Sequence, residues 1–449
     1  MENCGIFAIP PFEHSAVPPF FYLHALIGIP MQNLRALSIL FVANFISGVA
    51  QGISMLAIPW YFARSEDMAT FGIIFLLTNC VSLLWMPYAG VLVDRYNRKG
   101  ILLLMSVTGF AVMGASAVSG LTREVPVWVA AIAFMYTFFH FNIHYTNLYA
   151  FVQEITEERH YARITSAMEV IHQLTTMLAG AAGAMLLEGT PDGILNVFGV
   201  HVQTPWHIQA WDLHEIFALD AGTYLIALII LWIIKYIPIK ERYHEAGHVL
   251  SRLHTGWRYL NTHRPILIFG AASFCVFVTI IVIGFYLNPT YVFNHLGESA
   301  DVFAASEMYY ALGAVAAGAG TLAVFRKWSI PNAVICLTMI AAIMYGVQAA
   351  THSVALFYLA VLAMGLSNAG TRVLRTTYLM HEIPNQVYGR TNGIFNMINV
   401  LMRIFFMLIF AIPFLADSNH VIYTFIVTSV FLVAASVVMF WIKPRLHKR

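Results

Sequence analysis

The chain has 449 residues, of which 59% are hydrophobic and only 10% are charged, and its net charge is +2 at pH 7. A soluble domain carries about 25% charged residues, so the composition excludes a large soluble protein and indicates lipid as the surrounding solvent. The small net charge, without a basic face or an RNA-binding motif, predicts no nucleic-acid partner.

Residues 1–30 are apolar but interrupted by five prolines, at positions 10, 11, 18, 19 and 30. Proline breaks helices, so this segment cannot cross the membrane as one helix. It also lacks the basic start and small-residue cleavage site of a signal peptide. We expect an N-terminal extension that is disordered or lies on the surface, or that precedes a true start at Met31.

From residue 31 onward, apolar runs of about 20 residues recur, each long enough to cross about 30 Å of hydrocarbon. Hydropathy and turn signals predict twelve membrane-spanning helices. The predicted fold is an all-α polytopic membrane protein with two six-helix bundles, 31–237 and 264–443, a cytoplasmic linker, 238–263, and a basic tail, 444–449. The predicted spans are 34–62, 69–93, 100–121, 126–152, 162–187, 212–237, 264–288, 300–325, 330–350, 353–380, 389–414 and 420–442.

Basic residues predict the orientation. With both termini in the cytoplasm, 19 of the 24 lysines and arginines lie on the cytoplasmic side and only Arg64 and Arg123 lie outside. The other three, Arg372, Arg375 and Arg403, fall within spans. This asymmetry is the one that the positive-inside rule requires.

The two halves share a short internal repeat. EITEERHYAR (154–163) precedes span five and HEIPNQVYGR (381–390) precedes span eleven, and both contain Glu-Ile and end in Tyr, a small residue and Arg. Parallel repeats about an axis along the membrane normal are typical of one group of secondary transporters. The repeat makes Arg163 and Arg390 candidate gating residues.

The stretch YAGVLVDRYNRKG (88–100) places an acid and three bases in the predicted cytoplasmic turn between spans two and three. A glycine lets helices approach closely, the acid can pair across the interface between the halves, and the bases can anchor the turn at anionic headgroups. Such a pair would hold one conformation shut and break in the other. The gating candidates of this stretch are Gly90, Asp94, Arg95, Arg98 and Lys99.

This pattern, Gly90-x-Leu92-x-Asp94-Arg95-x-Asn97-Arg98-Lys99, resembles the signature loop of the major facilitator superfamily, and the resemblance covers roughly 31–443. It implies the major facilitator fold and alternating access. Within that superfamily, 162–186 and 383–399 are similar to bacterial carriers that export macrolides and siderophores. That branch often has an acid in the first span, where this chain has Gln51, so proton coupling must use another residue.

Ionisable groups inside a span are candidates for function. We predict Arg403 near the midplane of span eleven, and Arg372 one turn from Arg375 on the same face of span ten. Their alternative role is structural, as partners of a buried acid or of helix carbonyls. The residues assigned to substrate binding are Arg403, Arg372, His140, His144 and Asn399.

Carboxyl and imidazole groups at membrane depth can carry protons. The candidates for proton coupling are Glu169 and His172 in span five, Asp220 in span six and Glu307 in span eight. His140 and His144 lie four residues apart on one face of span four, and with His172 they could hold a transition metal. Since no cysteine or carboxylate of suitable spacing joins them, and all four cysteines lack paired spacing, we predict no metal centre and no cofactor.

We find no enzymatic motif. Without a Walker phosphate loop, ATP is not the direct energy source, and GAVAAGAG (313–320) lies inside span eight, where small residues allow close helix packing.

We therefore predict a secondary-active transporter of a bacterial inner membrane, working as a monomer in the lipid bilayer. It exports a small amphipathic or anionic molecule, such as a carboxylate siderophore, in exchange for protons. The alternatives are a multidrug or macrolide efflux pump, a divalent-metal transporter, and a membrane sensor that transports nothing.

Overall fold

The computed structural model describes residues 31–65, 67–122, 124–156, 161–190, 193–197, 200–203, 207–237, 249–416 and 420–446. The predicted extension, 1–30, lies outside these residues, as do 238–248 of the linker and 447–449 of the tail. The side chains of five predicted site residues also lie outside the described part: Gly90, Asp94, Arg95, Arg163 and Glu169.

The first half of the chain forms six long helices whose ends coincide with polar turn residues. The side chain of Asp67 accepts a hydrogen bond from the Thr70 N–H at the start of the second helix, and that of Asn97 accepts one from the Gly100 N–H at the start of the third. Such caps satisfy backbone donors that a helix leaves unpaired. The elements are α1 (Met31–Arg64), α2 (Met68–Arg95), α3 (Arg98–Ser119), α4 (Val127–Ile155), α5 (Tyr161–Glu188), the strands β1 (Ile194–Val197) and β2 (Val200–Gln203), and α6 (Leu213–Ile233).

The two strands pair antiparallel, with Val197 opposite Val200. They form a small hairpin in the connection between α5 and α6, which the sequence did not lead us to expect. Because this hairpin belongs to the connection between two spans, the membrane-spanning elements themselves are helices.

The second half begins after α7 (Val249–Thr262), an amphipathic helix in the predicted linker. Its elements are α8 (Arg264–Ser273), α9 (Cys275–Val282), a π-helical turn (Ile283–Leu287), α10 (Asn288–Thr290), a second π-helical turn (Tyr291–Leu296), α11 (Ala300–Val324), α12 (Ile330–Ala350), α13 (Val354–Glu382), α14 (Asn385–Phe410), the short α15 (Pro413–Ala416) and α16 (Val421–Leu446).

The seventh span is one interrupted helix that runs from Arg264 to Leu296. Its first interruption is at Phe274, and its two π-helical turns flank α10, which contains Pro289. A proline has no N–H to donate to the preceding turn, and an extra residue per turn is one way in which a helix accommodates such a defect. The span is therefore longer than the predicted 264–288.

The described part of the chain contains twelve long helical segments when the interrupted helix from Arg264 to Leu296 is counted as one, and they match the twelve predicted spans. Within the described part of the chain, eleven are long and apolar enough to cross a membrane. The remaining segment, α11, has 25 residues, which corresponds to about 37 Å, and it packs against α5 and α13. The predicted fold class, an all-α membrane protein with two six-helix bundles, is confirmed.

Contacts within each half outweigh those between the halves. In the first half α3 packs on α6, and α1 packs on α5 and α6; in the second, α11 packs on α13 and α12 on α16. The halves meet where α5 packs on α11 and where α2 packs on α14. Two bundles that each pack mainly within themselves can tilt against each other while each keeps its own packing.

Glycine permits the closest helix contact in the second half. A Cβ atom on Gly365 of α13 would overlap the carbonyl oxygen of Tyr310 on α11, and one on Gly313 would overlap that of Leu362. A neighbouring backbone cannot move aside as a side-chain tip can. These two positions therefore require glycine.

We expect Gly365→Ala to lower the free energy of unfolding by about 1–3 kcal/mol, because the added methyl group overpacks a backbone contact. The measurement is denaturant or thermal unfolding of the detergent-solubilised protein, followed by circular dichroism. The matched control is Gly318→Ala on α11, where an added Cβ has no atom within 4 Å. An equal loss at both positions would contradict the packing argument.

The halves are also joined near the ends of α1 and α4 that lie at the predicted outer face. Trp60 of α1 stacks on Phe303 of α11, with ring centroids 5.9 Å apart and an interplanar angle of 13°. Phe75 and Phe134 pack edge-on against Phe285 of the seventh span, with ring centroids 6.2 and 6.5 Å apart. These aromatic contacts, which we name the outer seal, close this side of the interface.

A polar contact accompanies the outer seal. The Ala300 N–H, at the first residue of α11, donates to Oε1 of Glu188 at the end of α5, over 2.9 Å. A carboxylate is stabilised at a helix N-terminus by the free N–H groups and the helix dipole. The end of α5 therefore caps a helix of the other half.

Candidate functional site

Arg403 lies at the interface between the halves. It is the nineteenth residue of α14, about 27 Å from the helix start by the rise per residue, which places it in the predicted outer half of that helix. Its side chain is 4% exposed, and its guanidinium carbon is 5.9 Å from the ring centroid of Phe138 on α4 of the other half. A cation at this distance from an aromatic face is attracted to the ring.

Arg403 has no anionic partner among the described residues, and its buried Nε has no hydrogen-bond partner there. A buried guanidinium that lacks a counter-charge costs free energy of several kcal/mol. A bound anion between the halves would supply the missing charge.

Asn399 lies one turn before Arg403 on the same face of α14. It is 3% exposed, and its Oδ1 has no hydrogen-bond partner among the described residues. The two side chains offer a guanidinium Nε donor and an amide Oδ1 acceptor that have no hydrogen-bond partner in the described part of the chain. This pair, together with the ring of Phe138, is the candidate substrate site.

The two arginines of α13 have different environments. Arg375 is 6% exposed, donates from Nη1 to the Ser273 carbonyl over 3.1 Å, and stacks on Phe274 with 3.5 Å from its guanidinium carbon to the ring centroid. Ser273 ends α8, so Arg375 binds a carbonyl at the interruption of the seventh span. Arg372, the predicted substrate ligand of this pair, is exposed.

The three predicted histidines make separate hydrogen bonds. His140 Nδ1 is 3.1 Å from Gln51 Nε2, His144 Nε2 is 2.6 Å from Asn44 Oδ1, and His172 Nδ1 is 2.7 Å from the Tyr145 hydroxyl. Among the described residues, no three His, Cys, Asp or Glu side chains converge on one point. The geometry gives no support to a metal site at these histidines.

The predicted proton carriers lie in both halves. Asp220 on α6 is fully buried, and its Oδ2 accepts a hydrogen bond from Ser54 Oγ over 2.8 Å. Glu307 is half-buried on α11, one turn after Phe303 of the outer seal, and so lies on the face of α11 that is directed toward α1. Glu169 lies outside the described side chains.

Two of the predicted gating bases have partners within the first half. Arg98 Nη1 is 3.4 Å from Glu154 Oε2 and also donates to the Ala150 carbonyl. Lys99 Nζ donates to the carbonyls of Trp232 and Ile234 at the end of α6, over 2.9 and 2.7 Å. A cation at the C-terminal end of a helix is favourable. These contacts tie α3, α4 and α6 together, and the gating role of this turn stays a prediction.

Arg390, the other gating candidate with a described side chain, is half-buried near the start of α14. A Cβ atom on Gly256 of α7 would lie 2.5 Å from the Arg390 carbonyl oxygen. The second copy of the internal repeat therefore packs directly against the amphipathic helix of the linker.

Phe138 and a polar face of α1 were not predicted from the sequence. That face carries Asn44, Ser47, Gln51 and Ser54, spaced by three, four and three residues, which is a helical period. The spacing alone could have identified the face. The aromatic partner of Arg403 left no such signal, because it belongs to another helix.

The chain matches the family model described as Major Facilitator Superfamily over residues 40–407. A comparison with curated proteins gave no match. Three similar solved structures are a bacterial homologue of the iron transporter ferroportin in an inward-facing state (11% identity, TM-score 0.69, covering 93% of this chain and 99% of that chain), the nucleoside transporter NupG (11%, 0.67, 91% and 99%) and a D-xylose-proton symporter (15%, 0.61, 92% and 99%). At these identities the likeness shows the fold.

Proposed function

This chain belongs to the Major Facilitator Superfamily, and we propose that it is a proton-coupled secondary transporter that exports a small amphipathic organic anion. That it is a multi-pass membrane transporter and not an enzyme follows from the family. The proposal concerns the substrate class, the coupling ion and the direction.

The observation that carries the proposal is Arg403. Its charge is buried between the halves without an anionic partner among the described residues, and an aromatic ring lies on one side of it. A carboxylate would pair with the guanidinium through charge-assisted hydrogen bonds, and an apolar portion of the same molecule would contact the ring. A carboxylate siderophore has both features.

Alternating access supplies the transport cycle. The outer seal closes one side of the interface, so release of substrate on that side requires Trp60 and Phe303 to separate. Each half keeps its own packing while the shared contacts exchange. Binding energy from the anion can favour one arrangement only if Arg403 and Phe138 approach it differently in the two states.

We place both termini in the cytoplasm of a bacterial cell, in the inner membrane, on the strength of the basic residues. The domain limits proposed are 31–237 and 264–443, joined by 238–263 and followed by the tail 444–449, with 1–30 preceding them. The proposed partners are the small-molecule substrate, protons and the lipid bilayer, and the working unit is a monomer.

The alternative functions require different chemical groups at this site. A macrolide or multidrug pump needs no buried cation, so its ligands would bind without Arg403. A divalent-metal carrier needs convergent ligands, whereas His140, His144 and His172 bond to three different neighbours. A sensor would bind its ligand without moving it across the membrane.

The test is transport by the purified full-length protein in lipid vesicles. We use phthalate, an aromatic dicarboxylate that crosses lipid poorly, and its neutral analogue phthalamide. We expect vesicles with an acidic interior to accumulate radiolabelled phthalate, because outward proton flow drives inward anion flow, and a protonophore to abolish the accumulation.

Phthalamide should neither accumulate nor stabilise the protein in a thermal-shift assay, since it lacks the charge that Arg403 binds. Equal stabilisation by phthalate and phthalamide would overturn the anionic substrate class. Accumulation that is indifferent to the proton gradient would overturn the coupling.

A further inference from the structure

A second buried polar cluster lies inside the first half. Phe138 and His140 are two residues apart on α4, so their side chains leave opposite sides of the helix. Phe138 faces Arg403, whereas His140 faces α1 and α6. The cluster is therefore separated from the candidate substrate site by the body of α4.

One polar face of α1 runs along the whole of this cluster. Its four polar residues, Asn44, Ser47, Gln51 and Ser54, are each less than 10% exposed, and the ten-residue separation between the first and the last corresponds to about 15 Å along the helix. Three of them bond across to other helices: Asn44 to His144, Gln51 to His140, and Ser54 to Asp220. We name these seven residues, with Tyr224, the polar ladder.

The hydrogen bonds fix where the imidazole protons are. Gln51 Nε2 also lies 3.3 Å from the Thr137 carbonyl, which can only accept, so this atom is the amide nitrogen and it donates to His140 Nδ1. Neutral His140 therefore carries its proton on Nε2. Asn44 Oδ1 accepts from His144, so that ring also carries a proton on Nε2. The Nδ1 of His144 keeps a lone pair that can receive a proton, whereas a proton on Nδ1 of His140 requires the Gln51 amide to turn away from it.

The two rings stand in line along α4. The His140 and His144 rings are stacked, with centroids 5.4 Å apart, and the His140 ring packs edge-on against Tyr224, with centroids 5.0 Å apart. A cavity beside them is lined by Asn44, Ser47, Ser106, His140, His144 and Tyr224 together with five apolar residues. The cavity volume of about 10 Å³ is close to the space that one water molecule needs.

The ladder ends at Asp220. This carboxyl group is fully buried and makes no ion pair with a described residue. The groups that face it are Ser54 from α1, Tyr136 from α4 and Tyr224 from its own helix. Its Oδ1 and the Tyr224 hydroxyl, one turn apart on α6, both lack a hydrogen-bond partner among the described residues. An unpaired carboxylate here is costly, and a proton removes its charge.

We infer that Asp220 binds the transported proton and that the polar ladder conducts the proton to it from His144, the half-buried member. The inference rests on the proposed proton-coupled transport and assigns the coupling ion to a site separate from the anion. Because the Tyr224 hydroxyl has no hydrogen-bond partner among the described residues, transfer along the ladder requires this side chain and those of the histidines to rotate between neighbours. Each imidazole or hydroxyl then receives one proton and passes one on, so the only net change is conversion of the Asp220 carboxylate to the carboxylic acid.

Infrared difference spectroscopy of the full-length protein in lipid vesicles, without any substrate, tests the proton site. Exchange between acidic and alkaline buffer should reveal the C=O band of a buried carboxylic acid, and Asp220→Asn should remove it. Ser54→Ala should shift the band to higher frequency, because the carboxyl group loses its hydrogen bond; a merely structural Asp220 would produce no titrating band. If Asp220→Asn does not fold, Asp220→Glu should show a displaced band.

The overturning results are a band that persists unchanged in Asp220→Asn, or one that disappears in Glu307→Gln instead. A band that fails to shift in Ser54→Ala would also overturn the assignment.

The ladder is tested by the rate at which the band appears after a rapid change of pH. His140→Phe and His144→Phe should each slow it at least about tenfold, by analogy with the loss of a positioned proton-transfer group, without altering its final size. His254→Gln, an exposed histidine on α7, is the matched control. Unchanged rates in both ladder variants would overturn the path. Since no anion is present, these outcomes are independent of whether phthalate is transported.

Discussion

Replacing Arg403 by alanine should weaken phthalate binding by about 100-fold. A hydrogen bond to a charged group contributes about 1.5–3 kcal/mol, and the upper part of this range applies because the guanidinium is 4% exposed and unpaired among the described residues. The measurement is isothermal titration or thermal shift of the purified protein with phthalate. Arg403→Lys should bind with intermediate affinity, since lysine keeps the charge but loses the planar pair of donors.

Arg326→Ala provides the control, because this arginine is exposed just after α11 and should leave phthalate binding unchanged. Asn399→Ala should cause a smaller loss than Arg403→Ala, since it removes a neutral group. If Arg403→Ala binds phthalate as tightly as the unmodified protein, the anion does not pair with Arg403 and the substrate assignment fails.

Glu154→Gln should lower the free energy of unfolding by about 3 kcal/mol. The change keeps the size of the side chain but removes the charge that lies 3.4 Å from Arg98. The pair is well shielded, with side-chain exposures of 17% for Arg98 and 3% for Glu154, and removing one partner of a buried ion pair costs about 3–5 kcal/mol. Unfolding of the detergent-solubilised protein, followed by circular dichroism, measures the loss.

Glu124→Gln is the matched carboxylate control, because Glu124 is exposed in the connection between α3 and α4; a surface change of this kind stays within about 0.5 kcal/mol. The double variant Arg98→Gln with Glu154→Gln should lose less than the sum of the single variants, since the two residues interact. A loss below about 0.5 kcal/mol for Glu154→Gln would show that the pair is solvated and contributes little.

The spans were predictable because the bilayer imposes a length and a polarity that can be read along the chain. The ninth span, predicted at 330–350, has the limits of α12. The seventh was predicted to end at 288, but it continues to Leu296. Pro289 does not end the helix there, since π-helical turns on both sides accommodate it, and this local adjustment has no clear sequence signal.

The two arginines of α13 show where sequence reasoning stops. Arg372 and Arg375 differ by about 60° around the helix axis, and Arg372 was the one predicted to bind substrate. The structure buries Arg375 against Ser273 and Phe274 and leaves Arg372 exposed. Which of the two faces the protein depends on where α8 and α9 lie, and this is a property of the packed bundle.

The polar ladder was predictable from the sequence only in part. The period of Asn44, Ser47, Gln51 and Ser54 is visible along the chain, and His140 and His144 are four residues apart on α4. The two histidines were predicted from the sequence to bind substrate, and that role stays a prediction. Their hydrogen bonds to α1 could not be predicted, because two helices can face each other in several rotations with the same composition.

The sequence by itself determined the solvent, the number and positions of the spans, and the division into two similar halves, because hydrocarbon penalises each unpaired polar backbone group and each charge according to its place along the chain. Only the tertiary structure decided which partner each buried polar side chain meets: Arg403 the ring of Phe138, Glu154 the guanidinium of Arg98, and Asp220 the hydroxyl of Ser54. These pairs join residues from different helices, and their contacts depend on helix rotation and interhelical distance, which are fixed by the packing of all side chains together.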